Sequence, residues 1–400
     1  MKGWKHMTQR IRSGFFLLLS VVLLIQHCTA IGYARETTTP APLQSTEDAM
    51  SFPCKSVILM EATTGTVLFE QNADQALPPA SVTKIMTLLL IMEAVDAGTV
   101  HLDDRVFISA TAASMGGSQV YLKEGEQMSL EDLLKCVVIA SANDAAVALA
   151  EYISGSVSAF VSKMNAKAKQ LGMENTCFEN VTGLDDTAEN HLTSARDIAL
   201  MSRALIAHPT ILQYSSIWMD TIRNGEFGLT NTNRLVRFYQ GCTGLKTGST
   251  SKAGFCVSVT AQRENLSLIC VVMGAASRDE RNGIATQLLD WGFANYGLYR
   301  SEAIELTPQK ILGGNQEFCK LLQKDFSCVL TKEELSAVQI QTAILPEIAA
   351  PTKEGSVLGE AVFLIGDREI GRAEIVAAET VERITFFEIL QKIASVFFLS

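Results

Sequence analysis

The sequence predicts an α/β (α+β) domain over residues 51–300, followed by a small β-rich domain over 301–380. Three patterns predict it. Apolar runs of helical length, such as Ile85 to Met92 and Leu133 to Ala140, alternate with runs of strand character, such as Phe255 to Ala261 and Leu266 to Met273. From about Ser301 short apolar segments separated by Gly, Pro and charge take over. With 400 residues, 48% hydrophobic and 19% charged, the chain is long and apolar enough to pack two domains.

The N-terminus carries Lys2, Lys5, Arg10 and Arg12, then the apolar run Phe15 to Ile25, then Gly32-Tyr33-Ala34 as a small-x-small end. This is a secretory signal over 1–34, so the protein is expected to be exported. The run is shorter than the roughly 20 residues that cross a bilayer. Cleavage is expected after Ala34, with Ala30 the alternative; His27 before Cys28 is the wrong size for a lipidation motif. Residues 35–50, rich in Thr, Pro, Ser and Ala, form a flexible lead-in. Order is expected to begin with a hairpin, Ser56 to Met60 and Gly65 to Glu70, around a turn at Thr63-Thr64-Gly65.

Three short motifs then follow in one order: Ser81-Val82-Thr83-Lys84, Ser141-Ala142-Asn143 and Lys246-Thr247-Gly248. They describe serine acyl transfer with lysine handling the protons. Ser81 follows Pro78-Pro79-Ala80 and precedes the Ile85 to Met92 run, so it is expected in the first turn of a buried helix. Residues three apart share a helix face, which brings Lys84 to the Ser81 hydroxyl. Lys84 can act as a base only if burial and a nearby cation, for which Lys246 is the candidate, lower its pKa from about 10.4.

Ser141 and Asn143 lie between two apolar runs, where a tight helix–helix connection would turn short polar side chains into a cleft. Ser141 is the candidate proton relay to the leaving amine, and Asn143 the group that orients Lys84 and the substrate amide. Lys246 and Thr247 are candidates for holding a carboxylate, and Gly248 gives room for close backbone approach. The Ser249 and Ser81 N–H groups are the candidate oxyanion hole. The adjacent strands could hold an extended peptide by backbone pairing. Taken singly, Ser81 reads as a helix cap, Lys84 and Lys246 as solvated charges, and Ser141 and Asn143 as turn formers. The joint occurrence outweighs those readings.

At these residues the chain resembles the serine-type D-alanyl-D-alanine carboxypeptidases, low-molecular-mass penicillin-binding proteins, and most closely the branch of endospore-forming bacteria. The likeness runs through Leu77 to Thr87, Gly116-Gly117-Ser118, Ala140 to Ala145, Gly183-Leu184-Asp185 and Gly244 to Gly248, covers about residues 50–300, and continues more weakly to the end. It implies a β-lactamase/transpeptidase-like fold and a Ser81 acyl-enzyme that releases the terminal D-alanine of a peptidoglycan stem peptide. It also implies acylation by β-lactam antibiotics, and some members of that branch serve in spore cortex formation. No metal or other cofactor is expected; His101, His191 and His208, the histidines beyond the signal, show no paired ligand spacing.

Other activities fit less well. Class A β-lactamases deacylate with a glutamate in a Glu-x-x-Leu-Asn loop, whereas the comparable region here reads Phe178-Glu179-Asn180-Val181-Thr182-Gly183-Leu184-Asp185. No Gly-x-Ser-x-Gly elbow marks a Ser-His-Asp hydrolase. A peptidoglycan endopeptidase, or a silent penicillin-binding wall protein, remains the alternative. The net charge of -10, with no basic cluster to offset it, excludes nucleic acid as a partner.

Nine cysteines, an odd count without framework spacing, are read as mostly free thiols; a Cys319–Cys328 bridge is the one candidate pair. Ala361 to Ile365 and Ile370 to Ala377 around Gly366-Asp367-Arg368-Glu369 read as a hairpin in the β-rich domain. In the last segment, 381–400, Ile384, Phe387, Leu390, Ile393 and Phe397 share one helical face. Such a helix can lie on a membrane surface or dock on its own domain; family members often carry an anchor of this kind, which favours the membrane.

Overall fold

A computed structural model describes residues 50–186 and 188–398. The predicted signal segment and all but the last residue of the predicted lead-in lie outside the described residues.

The predicted hairpin forms: β1 (Ser56–Glu61) pairs antiparallel with β2 (Val67–Gln71). These strands join β3 (Cys242–Thr250), β4 (Gly254–Arg263) and β5 (Leu266–Ala275) in one antiparallel sheet of order β2-β1-β5-β4-β3. The Lys246 motif lies inside β3, the edge strand, rather than ahead of the first strand of this group as the spacing had indicated. Extending the regular alternation by a few residues puts one backbone edge of the motif at the open side of the sheet.

β5 is central and buried on both faces, so it reads as an unbroken apolar run. Alternate side chains serve two cores. Ile269, Val271 and Met273 face a helical layer, and Leu268, Cys270 and Val272 face another.

The first layer contains α1 (Lys84–Asp96), α2 (Leu130–Ile139), α3 (Asn143–Ser154) and α4 (Ala195–Ile206). The second is α5 (Arg278–Asn295), which packs Ile284, Ala285, Leu288 and Leu289 against the sheet. Ser129, Ser194 and Ser277 cap their helices by accepting from the amides of Asp132, Asp197 and Glu280. α1 is apolar on every side because neighbours surround it: Ile85, Met86, Leu88, Leu89, Ile91 and Met92 are all buried. Each such side chain contributes about 1.5–3 kcal/mol on burial, so α1 is a rigid support for whatever stands at its N-terminus. That N-terminus departs from expectation. Ser81 lies in a 3-10 turn, Ala80–Thr83, and the α-helix starts only at Lys84.

The C-terminal region is β-rich, as expected. A six-stranded sheet of order β8-β10-β11-β7-β6-β9 is built from β6 (Ile304–Leu312), β7 (Phe318–Gln323), β8 (Val338–Ile344), β9 (Ile348–Ala349), β10 (Val357–Ile365) and β11 (Arg368–Ala377). β10 and β11 are the predicted hairpin, closed by the pair Ile365 and Arg368. Phe326 stacks on Phe363 at 4.2 Å within its own core. A separate two-stranded pairing joins Tyr296–Ser301 to Phe326–Thr331, across the predicted boundary at residue 300.

Cys319 and Cys328 are both free, as are the other six cysteines among the described residues, so the candidate bridge is absent. Helix α6 (Phe386–Phe398) closes the described chain, with Phe387 76%, Leu390 54% and Ile393 51% exposed. These three side chains of its apolar face are not covered by the rest of the described chain. Among the described residues no single helix is long and apolar enough to cross a membrane.

Candidate active site

The geometry begins with the turn that presents Ser81. Ala80 takes a positive φ of 48°, and Gly183, at φ 83°, passes directly beneath it. A Cβ on Gly183 would stand 1.8 Å from the Ala80 carbonyl oxygen, so only glycine fits there. The Thr83 hydroxyl donates to the Ala80 carbonyl at 2.9 Å and meets His191 Nε2 at 2.7 Å. His191 Nδ1 accepts from the Glu179 amide, so its proton sits on Nε2 and is donated to Thr83. Burial lowers the His191 pKa to about 4, which keeps the ring neutral. His191 is thus a packing residue that fixes the serine turn, with no chemistry of its own.

Lys84 is fully buried one turn beyond Ser81. Its Nζ donates to Asn143 Oδ1 at 2.6 Å and the Thr182 carbonyl at 2.9 Å and lies in hydrogen-bond contact with Ser81 Oγ at 3.0 Å. Burial, and then the positive charge of Lys246, hold its pKa well below 10.5, against an opposing pull from Asp144. The Asp144 carboxylate is itself occupied by the amides of Val120 and Leu122, a structural role.

Asn143 opens α3, and its Nδ2 donates to the Gly116 carbonyl at 2.7 Å. That second bond fixes which amide atom faces Lys84. Ser141 sits in the tight α2–α3 connection at φ 62°. Its Oγ is buried and has no hydrogen-bond partner among the described residues, and the residue lines the cleft. A buried hydroxyl without a protein partner is costly, and this one stands at the cleft, where it can bond to a bound molecule.

On the other side, β3 runs against the Ser81 turn. Lys246 is fully buried, and burial followed by repulsion from Arg281 lowers its pKa to about 7. The Thr247 hydroxyl donates to Thr232 Oγ1 at 2.8 Å. Ser81, Ser141, Thr247, Gly248 and Ser249 line one cleft of about 630 Å³, with Lys84, Asn143 and Lys246 behind its wall. All eight candidates from the sequence therefore come together.

The sequence missed Arg281, Thr232 and the Thr182 carbonyl. Arg281 lines the same cleft, is only 3% exposed, and is lowered to about 10 by burial and by Arg278. A carbonyl has no side-chain signature, though Gly183 beside it does, since its position beneath Ala80 tolerates no other residue. Glu179, the acidic residue of the loop compared with β-lactamases, accepts from the amides of Glu189 and Asn190. Among the described residues no group of three or more His, Cys, Asp or Glu side chains is placed to hold a metal ion.

The chain is similar to known proteins in sequence and fold. The family model described as D-alanyl-D-alanine carboxypeptidase matches residues 43–277, and that of the penicillin-binding protein 5 C-terminal domain matches 299–383. The D-alanyl-D-alanine carboxypeptidase DacF of Bacillus subtilis is 40% identical over 86% of this chain and 90% of its own length. Penicillin-binding protein 5 of Haemophilus influenzae superposes with a TM-score of 0.75 at 32% identity, covering 84% of this chain and 99% of that one. Penicillin-binding protein D2 of Listeria monocytogenes, solved with ampicillin bound, superposes with a TM-score of 0.56 at 32% identity, over 61% of this chain and 98% of that one. With its first family match spanning more than half its length, the chain belongs to the D-alanyl-D-alanine carboxypeptidase family.

Proposed function

We propose that this serine carboxypeptidase removes the terminal D-alanine of peptidoglycan stem pentapeptides through a Ser81 acyl-enzyme. The observation that carries the reading is the buried Lys84 amine, 3.0 Å from Ser81 Oγ and depressed toward its neutral form.

Ser81 Oγ attacks the carbonyl carbon of the penultimate D-alanine while Lys84 takes its proton. The N–H groups of Ser81 and Ser249 stabilise the oxyanion. Ser141 passes a proton to the leaving nitrogen, the C–N bond breaks, and free D-alanine departs. Water then attacks the Ser81 ester with Lys84 again as base, and Ser81 regains its proton. Asn143 holds the Lys84 amine in place throughout. Lys246 and Thr247 hold the terminal carboxylate, with the buried charge of Arg281 behind them. A carboxylate clamp favours a chain end over an internal crosslink, which has no free carboxylate at the cut, so exopeptidase action is preferred to endopeptidase action. Penicillins would acylate Ser81 and leave slowly, since Glu179 is engaged by loop amides and offers no general base for their release.

Residues 51–300 supply this chemistry, and the β-rich 301–380 domain stands between them and a membrane-surface helix at 381–400. The export signal read from the sequence supports a reaction outside the cytoplasm, where a cell-wall substrate would be met.

The test is release of D-alanine from diacetyl-L-Lys-D-Ala-D-Ala, with Ser81→Ala as control and fluorescent penicillin labelling in parallel. Serine-dependent release with labelling is expected. Labelling without release would replace the carboxypeptidase reading with an endopeptidase or a sensor, and the absence of both labelling and release would overturn the catalytic assignment.

A further inference from the structure

The cleft holds more positive charge than one terminal carboxylate requires. Three arginines line it, Arg234, Arg278 and Arg281, and no acidic side chain does, although the chain as a whole carries a net charge of -10. Arg281 is accounted for. It is buried, donates to the Cys256 carbonyl and Asn282 Oδ1, and lies at the Lys246 end.

Arg234 and Arg278 are different. Both are exposed, and neither guanidinium has a hydrogen bond or ion pair among the described residues. Elsewhere Arg196, Arg223, Arg263, Arg368 and Arg372 each pair with a carboxylate. The acidic neighbours of Arg278 do not quench it: Asp279 does not line the cleft, and the Glu280 carboxylate accepts from the Ala276 amide. Two separate segments deliver the pair to one cleft, Arg234 from the loop before the short helix Leu235–Phe238 and Arg278 from the first turn of α5. Beside them Phe238 is 71% exposed, an apolar surface for the methylenes of a long side chain.

We propose that Arg234 and Arg278 form a second anion subsite that selects stem peptides bearing a free carboxylate in addition to the C-terminal one. The inference rests on the carboxypeptidase reaction proposed above. Guanidinium groups recognise carboxylates by charge-assisted, often bidentate, hydrogen bonds. In a stem peptide that carboxylate can come from two sources: the side chain of the residue directly before D-Ala-D-Ala, or the residue one position earlier. Both are anions, and both are neutralised by amidation.

The experiment measures kcat/KM for D-alanine release by the full chain on matched peptides, each carrying a carboxylate or its amide at one of the two positions, beside the neutral diacetyl-L-Lys-D-Ala-D-Ala. The expected result is a preference of about tenfold for the carboxylate, expressed in KM and weakened by salt. Arg234→Gln with Arg278→Gln removes that preference and leaves turnover of the neutral peptide and penicillin labelling in place. The position that shows the preference identifies the source.

Equal turnover of acid and amide at both positions, or a preference that survives in the double variant, overturns the subsite alone. Loss of all turnover in the double variant with labelling intact also overturns it, because the arginines would then serve the reaction itself. Absence of Ser81-dependent release from every peptide by the unaltered chain brings down the proposed reaction and the subsite together.

Discussion

Gly248 runs so close to Ser81 that a Cβ on the glycine would lie 2.7 Å from the Ser81 amide nitrogen. The same Cβ would meet the Pro79 carbonyl oxygen and the Val82 nitrogen at 2.9 Å each. All three neighbours are backbone, so none can swing aside. The edge strand and the serine turn are in effect one wall, and the position of the nucleophile depends on a residue that carries no side chain.

Gly248→Ala is therefore expected to fold, since β3 is an edge strand, but to displace either the strand or the turn. A shift of about 1 Å at a reacting atom can cost on the order of 100-fold. The acylation rate by fluorescent penicillin and kcat/KM for D-alanine release should fall together by roughly that factor. An alanine variant with unaltered acylation would show that the wall yields elsewhere.

Asn143→Asp keeps the side-chain shape but charges the group beside Lys84, at the cost of the Nδ2 donor to the Gly116 carbonyl. The carboxylate would stand where Asn143 Oδ1 now lies, 2.6 Å from Nζ. A negative neighbour favours the ammonium form and raises the lysine pKa. Loss of a general base costs about 10²–10⁴-fold, so a fall in that range is expected at pH 7, with partial recovery at higher pH. A flat pH response of the defect would argue against a neutral Lys84.

The two buried lysines set opposite limbs of the pH profile. Lys84 must lose its proton to act, so kcat/KM rises through its lowered pKa. Lys246 must keep its proton to hold a carboxylate, so in the free enzyme the falling limb is expected near pH 7. Because the charge of Lys246 helps to depress Lys84, Lys246→Gln should move the rising limb to higher pH. Penicillin acylation rates measured from pH 5 to 10 follow the Lys84 limb directly. A rising limb that stays in place in Lys246→Gln would remove Lys246 from that role.

Much of this site is legible from residue order. The three motifs fix the nucleophile, its base and the strand that faces them, because each is a side chain whose chemistry has few alternatives. Arg281 is not legible: its value lies in reaching the Lys246 end of the cleft from α5, a contact made only by the folded sheet. Nor is the 3-10 turn at Ser81, because the apolar run that predicts α1 has no amphipathic edge to show where the α-helix begins. The C-terminal hairpin was legible for the opposite reason. Its alternation and its Gly366-Asp367 turn are local signals, and the pairing of Ile365 with Arg368 needs no distant partner.

Stability should also report Lys246. Its pKa is about 7 in the fold against about 10.5 for an ordinary lysine, so between those values the unfolded chain binds more protons. Stability therefore rises with pH above about 7. Buried thiols such as Cys242, whose pKa is raised from 9.0 by burial, oppose the trend only near and above pH 9. Urea midpoints from pH 7 to 8.5 should increase, and the increase should be smaller in Lys246→Met. Equal slopes in the two proteins would mean that Lys246 titrates normally.

The final helix makes a prediction independent of the active site. α6 spans 13 residues, about 20 Å at 1.5 Å per residue, against a hydrocarbon core of about 30 Å, so it can lie on a bilayer but not cross one. Phe387, Leu390 and Ile393 are exposed along it, while the chain just before is tied to the β-rich sheet by the Ile384 amide to the Gly313 carbonyl and the Asn315 amide to the Glu382 carbonyl. The helix can therefore be altered without loosening the sheet. Phe387→Glu with Leu390→Glu should abolish co-sedimentation with phospholipid vesicles, because burying a charge in place of an apolar side chain removes the driving force for surface binding. Turnover of a soluble peptide should stay within about twofold, since α6 contributes nothing to the cleft. Undiminished vesicle binding by this variant would assign the membrane contact to another part of the chain.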